Sequence, residues 1–166
     1  MLLAVAMLYA AATSGFWLDV PYIRQEKNGC GAASIAMVMQ YWKERGAPVS
    51  AADAGPEAIH KRLYSRRAKG IYASDMEGYF REKGFEVFAF RGEWADLEQH
   101  IRKGRPLIVC LRQGGPLHYV VVAGVDDGFV LVNDPARRKL LKLDREGFER
   151  DWKDRWTLLA VPRQVQ

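Results

Sequence analysis

The stretch HYVVVAGVDDGFVLVND, residues 118–134, constrains the fold of this chain more than any other. Two valine-rich runs flank Asp127-Gly128, and an Asp-Gly pair between apolar runs is a strong short-range signal for a β-hairpin. Two antiparallel strands of about seven residues joined by so tight a turn bring their outer ends together. His118 opens the first strand and Asp134 ends the second, so the hairpin predicts that these two residues are neighbours. Asn133 then points to the opposite face, and Pro135 limits the backbone beyond.

More strands surround this hairpin. FEVFAF (Phe85 to Phe90), the continuous apolar run PLIVCL (Pro106 to Leu111), KLLKL (Lys139 to Leu143) and a closing WTLLAV all read as strands. Helices are predicted mostly before them. Ala33, Ile35, Ala36, Val38, Met39 and Trp42 recur at helical intervals from Cys30 to about Glu44, and Gly46 and Pro48 stop the run. Ser50 to Arg67 reads as one or two short helices interrupted near Gly55 and Pro56. Ser74 is a candidate cap for a helix to about Lys83, which Gly84 stops. Trp94 to Lys103 is a further helix, and Asp144 caps another through about Trp152. Phe16 to Ile23 is an extended entry segment, with Pro21 opposing helix. The pattern is an α+β domain, a helical N-terminal half packed on a mainly antiparallel sheet. Chemistry is expected where the two layers meet.

With 166 residues, 49% hydrophobic and 27% charged, the chain can bury a sizeable core as one domain over residues 16–166. The formal net charge is +5, but the basic residues are interspersed with acids. Local clusters at Lys61 to Lys69 and Arg137 to Lys142 read as solvated faces, since no nucleic-acid motif accompanies them. Two cysteines, Cys30 and Cys110, are too few for a disulfide scaffold, although one bridge between them is conceivable. Cys110 lies in a buried strand, where a thiol packs. His60, His100 and His118 show no metal spacing with the cysteines, which argues against a structural zinc site.

Cys30 stands apart. It lies between Gly29 and Gly31, where a loop becomes a helix. The thiolate is the reactive form of cysteine, and a helix N-terminus together with a nearby imidazolium can lower a thiol pKa by several units. His60 and His100 lie on predicted helices among charged neighbours and read as surface residues. His118 projects from a rigid strand end and has Asp134 to orient its ring. The first N–H of the helix, at Cys30, and the side-chain amide of Gln25 on the approaching loop can serve as oxyanion donors. Singly, each residue has a plain structural reading: a packed thiol, a bonded strand histidine, an Asp-Pro turn. Together, at topologically reachable positions, they describe a thiol-dependent catalytic site.

RQEKNGCGAASIAMVMQYW followed by HYVVVAGVDDGFVLVNDPA resembles the bacterial double-glycine-leader cysteine peptidases, the C39 peptidase family, from about Val20 to Trp152. The resemblance implies a papain-like fold, with Cys30 as nucleophile, His118 as general base and acid, Asp134 as orienter and Gln25 as oxyanion donor. It implies a peptide or protein substrate cleaved after glycine or another small residue, no metal or cofactor, and an unlinked ABC peptide exporter as a candidate partner. Two rival readings use the same fold: a non-catalytic peptide-binding module, and thiol-dependent acyl transfer or deamidation.

The segment Met1 to Gly15, MLLAVAMLYAAATSG, has the apolar and small-residue regions of a secretory signal peptide, without the basic start. Its apolar run is too short to span a bilayer, which takes about twenty residues. Cleavage near Ala12 or Ser14 would leave a mature chain starting around Phe16, secreted or in the periplasm or cell envelope. A packed N-terminal helix in a cytoplasmic protein is the alternative.

Overall fold

A computed structural model describes residues 15–163. The expected signal segment, save Gly15, lies outside the described residues. None of the described helices is long and apolar enough to cross a membrane.

The first long helix, α1 (Cys30–Lys43), is buried around nearly its whole circumference. Small residues make this arrangement feasible: a side chain at Gly31 would lie only 3.0 Å from Ile71. Gly46 ends the segment with φ +88°, and the Ala47 N–H returns to the Trp42 carbonyl at 3.0 Å. Helix α2 (Pro56–Leu63) begins at Pro56. Proline at a first helical position loses no hydrogen bond, so Gly55-Pro56 opens this helix where an interruption was expected. Residues 51–54 form only turns, held by Ser50 and Asp53. Helix α3 (Ala73–Glu82) starts two residues earlier than a cap at Ser74 implies. Tyr72 is its N-cap and Ser74 lies within its first turn, so no side chain caps it. Helix α4 (Trp94–Arg102) opens on a capping box between Glu93 and Asp96, and α5 (Arg145–Asp151) on Asp144, whose carboxylate accepts from the Gly147 N–H.

The strands are β1 (Phe16–Trp17), β2 (Phe85–Arg91), β3 (Leu107–Leu111), β4 (His118–Asp126), β5 (Phe129–Asn133), β6 (Leu141–Asp144) and β7 (Trp152–Pro162). They form one antiparallel sheet in the order β2-β7-β3-β4-β5-β6, with β1 paired to the far end of β4. The last strand therefore lies in the interior of the sheet, between β2 and β3. Strand β6 starts at Leu141 because Leu140 takes φ +49° and turns the chain. The core is one apolar cluster in which α1 rests on the sheet, with Ile35, Met39, Val120, Val132 and Leu158 at 1% exposure or less.

The β4–β5 hairpin has a β-bulge. The pairs Asp126↔Phe129, Val125↔Val130 and Gly124↔Leu131 run in one register; Val122↔Val132 and Val121↔Asn133 run in another, shifted by one residue at Ala123. The carbonyl of Ala123 accepts from the Leu18 N–H at 2.7 Å. The bulge thus turns a main-chain group toward the incoming N-terminal segment.

Candidate active site

Cys30 is the first residue of α1, with its sulfur at the end of the helix where N–H groups lack intrahelical acceptors. The backbone N–H groups of Tyr119 and Gly31 and the His118 ring lie near the sulfur and act to lower its pKa. Burial pushes the Cys30 thiol up, but these donors and the charge on His118 outweigh it, and the net shift is downward.

His118 opens β4 and keeps 21% of its side chain exposed. Its Nε2 is 2.7 Å from Asp134 Oδ1, which leaves Nδ1 for the sulfur. Burial would lower its pKa; the hydrogen bonds and charges of Asp134 and Cys30 prevail and raise it to about 9. Asp134 is 2% exposed. Burial raises its pKa, but the His118 bond and charge, with the Ala136 N–H at 2.9 Å on Oδ1, hold the carboxyl below its ordinary value. All three shifts favour one charge state, thiolate–imidazolium–carboxylate.

The carboxylate is fixed by its backbone. The Asp134 N–H donates to the Arg138 carbonyl at 3.1 Å, and the Tyr22 hydroxyl donates to the Asp134 carbonyl at 3.2 Å. Neighbouring Asn133 is fully buried and faces away: its amide donates to the Val20 carbonyl at 3.0 Å and accepts from the Leu140 N–H at 3.0 Å. Gln25 lies on the loop before α1, and its N–H donates to the Pro135 carbonyl at 2.9 Å. One backbone bond therefore ties the loop that carries Gln25 to the loop that carries Asp134. This tie, Tyr22 and the Tyr119 N–H had no signal in the sequence, because each is a main-chain or long-range contact.

The remaining candidates lie elsewhere. Cys110 is 5% exposed; burial, with the charge on Cys30 adding to it, pushes its thiol up to about 11. Both cysteines are free, so the conceivable bridge is not formed. His60 and His100, expected at the surface, are half-buried. The His60 ring stacks on Tyr64 with centroids 4.8 Å apart, and that of His100 packs against Phe90 at 6.0 Å. Burial lowers the pKa of His100. Among the described residues no group of three or more His, Cys, Asp or Glu side chains could hold a metal ion.

Beside the site runs an open groove of about 430 Å³, lined by Phe90, Cys110, Leu117, Tyr119, Lys153 and Trp156 among others. Its walls are mainly apolar; Tyr119, the residue after His118, lines it, and none of Cys30, His118, Asp134 and Gln25 does. A larger surface hollow at Trp42, Arg45 and Arg105 is lined by none of the four residues.

Known proteins share this arrangement of elements. A double glycine motif protease from an AMS/PCAT transporter, crystallised in complex with the leader peptide, superposes with a TM-score of 0.67 at 28% identity, over 89% of this chain and 94% of that one. The probable functional amyloid protease FapD of Pseudomonas aeruginosa is 29% identical over 163 residues, covering 82% of this chain and 67% of FapD. The transport/processing ATP-binding protein ComA of Streptococcus pneumoniae is 31% identical over 128 residues; these are 76% of this chain but only 17% of ComA. The fold is that of the C39 peptidase domains, a papain-like fold. The model of the Peptidase_C39 like family matches residues 17–158, and the chain belongs to that family.

Proposed function

We propose that this protein is a cysteine peptidase that cleaves a peptide after glycine or another small residue. The observation that carries the reading is the grouping of Cys30, His118 and Asp134, His118 bonded to Asp134 and near the sulfur, with the sulfur at a helix N-terminus. The Cys30 thiolate attacks the scissile carbonyl carbon, forming an S–C bond as the carbonyl electron pair moves onto oxygen. The Cys30 N–H and the Gln25 side-chain amide stabilise that oxyanion. As the C–N bond breaks, His118 gives its proton to the leaving amine. It then takes a proton from water, whose oxygen attacks the thioester and releases the sulfur as thiolate. Asp134 holds the ring in place and stabilises its positive form throughout.

The preference for a small residue before the scissile bond follows from the double glycine motif protease, 28% identical, that was crystallised with a leader peptide. The apolar groove past Tyr119 and Trp156 offers burial for apolar side chains of an extended or helical peptide. The signal-like segment Met1 to Gly15 adds the proposal that the peptidase works in the cell envelope or outside it, where mass spectrometry of the mature N-terminus would find a start near Phe16.

Cleavage of a peptide carrying Gly-Gly tests the reading. Wild type cuts after the second glycine, a valine in that place abolishes cutting, and Cys30→Ala is inactive. Equal turnover by wild type and Cys30→Ala would remove the mechanism. A folded wild type that binds the peptide without cutting it would establish the binding module instead.

A further inference from the structure

Behind the loop that carries Gln25 lies a cavity of about 440 Å³, walled by that loop, the start of α1 and the first turns of α2; Ile23, Gln25, Gly29, Ala33, Pro56 and His60 line it. Two of these residues bury a polar atom with no hydrogen-bond partner in the protein: Gln25 through Oε1 and His60 through Nδ1. The two atoms are chemically complementary. An amide oxygen only accepts, and an imidazole Nδ1 that carries its proton donates. The structure shows no bond between them, and the cavity walls are mainly apolar; a side-chain rotation that joins them satisfies both.

We propose that His60 is a positioning residue for the oxyanion donor: by donating from Nδ1 into the cavity, it fixes which end of the Gln25 amide faces the substrate. This rests on the assignment of Gln25 as that donor. The two ends of a glutamine amide are nearly the same size, so packing alone does not choose between them. A flipped amide would present oxygen to a developing oxyanion and oppose it. A donor on the cavity side holds the oxygen inward and the NH₂ outward. Stacking on Tyr64 holds the His60 ring independently of Gln25. His60 therefore has a fixed place from which to direct the loop.

Two variants of the full chain test this. His60→Phe keeps a flat ring for Tyr64 and removes the donor; His60→Asn returns an N–H near the position of Nδ1. With the Gly-Gly peptide, His60→Phe lowers kcat by about 10-fold or more, approaching the roughly 10²- to 10³-fold loss of a whole oxyanion donor, while KM stays near wild type. His60→Asn recovers most of the loss, and His60→Phe adds nothing in a Gln25→Ala background. By NMR, the Gln25 side-chain amide is rigid in wild type, mobile in His60→Phe and rigid again in His60→Asn. Wild-type kcat in His60→Phe, or a Gln25 amide that stays rigid there, overturns the inference. A Tm loss without this pattern of rescue assigns His60 a structural role and also overturns it. Should Gln25→Ala keep full kcat while Cys30→Ala is inactive, the assignment of Gln25 falls and takes the inference with it. An impaired Gln25→Ala beside an unaffected His60→Phe removes the inference alone. The amide measurement needs no turnover, so it decides the link to Gln25 whatever the peptide assay gives.

Discussion

His118 reaches Asp134 at 2.7 Å only because β4 holds one residue more than the ladder requires. In the register set near the turn, Asp134 would stand opposite Val121, on the face away from His118. The bulge at Ala123 moves it opposite Val120, and residues 118 and 120 share a face. One inserted residue therefore decides whether the imidazole has a carboxylate.

The charge state of the site sets its pH dependence. Activity needs an ionised Cys30 and a protonated His118. On the acid side it falls as the thiol is protonated, below that group's lowered pKa. On the basic side it falls as His118 loses its proton, with a midpoint at about 9 in kcat/KM. Asp134→Asn removes the anion that raises His118, so the basic limb moves to lower pH. A basic limb unmoved by Asp134→Asn would contradict this origin of the shift.

The two cysteines differ in reactivity for a stated reason. The pKa of the Cys30 thiol is lowered by neighbouring N–H groups and His118, whereas Cys110 is buried and its thiol is pushed up to about 11. Mass mapping after brief iodoacetamide treatment at pH 7 should show Cys30 modified at least about 100-fold faster. His118→Ala should slow Cys30 and leave Cys110 unchanged.

Adjacent residues at the end of β5 should give opposite results. Asn133→Leu leaves the Val20 carbonyl and the Leu140 N–H without their partner in a fully buried place. It should cost about 2–4 kcal/mol in urea unfolding, since each unpaired buried group costs about 1–3 kcal/mol. Asp134→Ala should change stability less and lower kcat by roughly 10²-fold, the scale on which a positioned acid–base group acts. A variant of Asp134 that unfolds readily yet turns over normally when folded would reverse the assignment.

The N-terminal segment is docked through a glycine. A Cβ on Gly124 would stand 2.9 Å from the Cβ of Trp17 and 3.2 Å from that of Leu131. Gly124→Ala should therefore destabilise the fold by about 1–3 kcal/mol. Hydrogen exchange at the Leu18 amide, bonded to the Ala123 carbonyl, should quicken, while turnover per folded molecule stays near wild type. Unchanged exchange at Leu18 would show that the backbone absorbs the methyl group without moving β1.

Much of this was readable along the chain. Helical spacing from Ala33 to Trp42 gave α1, and with it Cys30 at a helix start. The Asp127-Gly128 turn gave the hairpin that brings residues 118 and 134 to one end of the sheet. Asp144 gave the cap of α5. These are local properties, set by side-chain period, turn geometry and capping over a few residues. The place of β7 between β2 and β3, the bulge at Ala123, the bond from Gln25 to the Pro135 carbonyl and the half-burial of His60 and His100 were decided by tertiary structure. The physical reason is that a strand's own period says which of its residues share a face, but not which of them face a given residue of another strand. That depends on register, and register shifts here at Ala123, whose carbonyl bonds to Leu18, more than a hundred residues away in the chain.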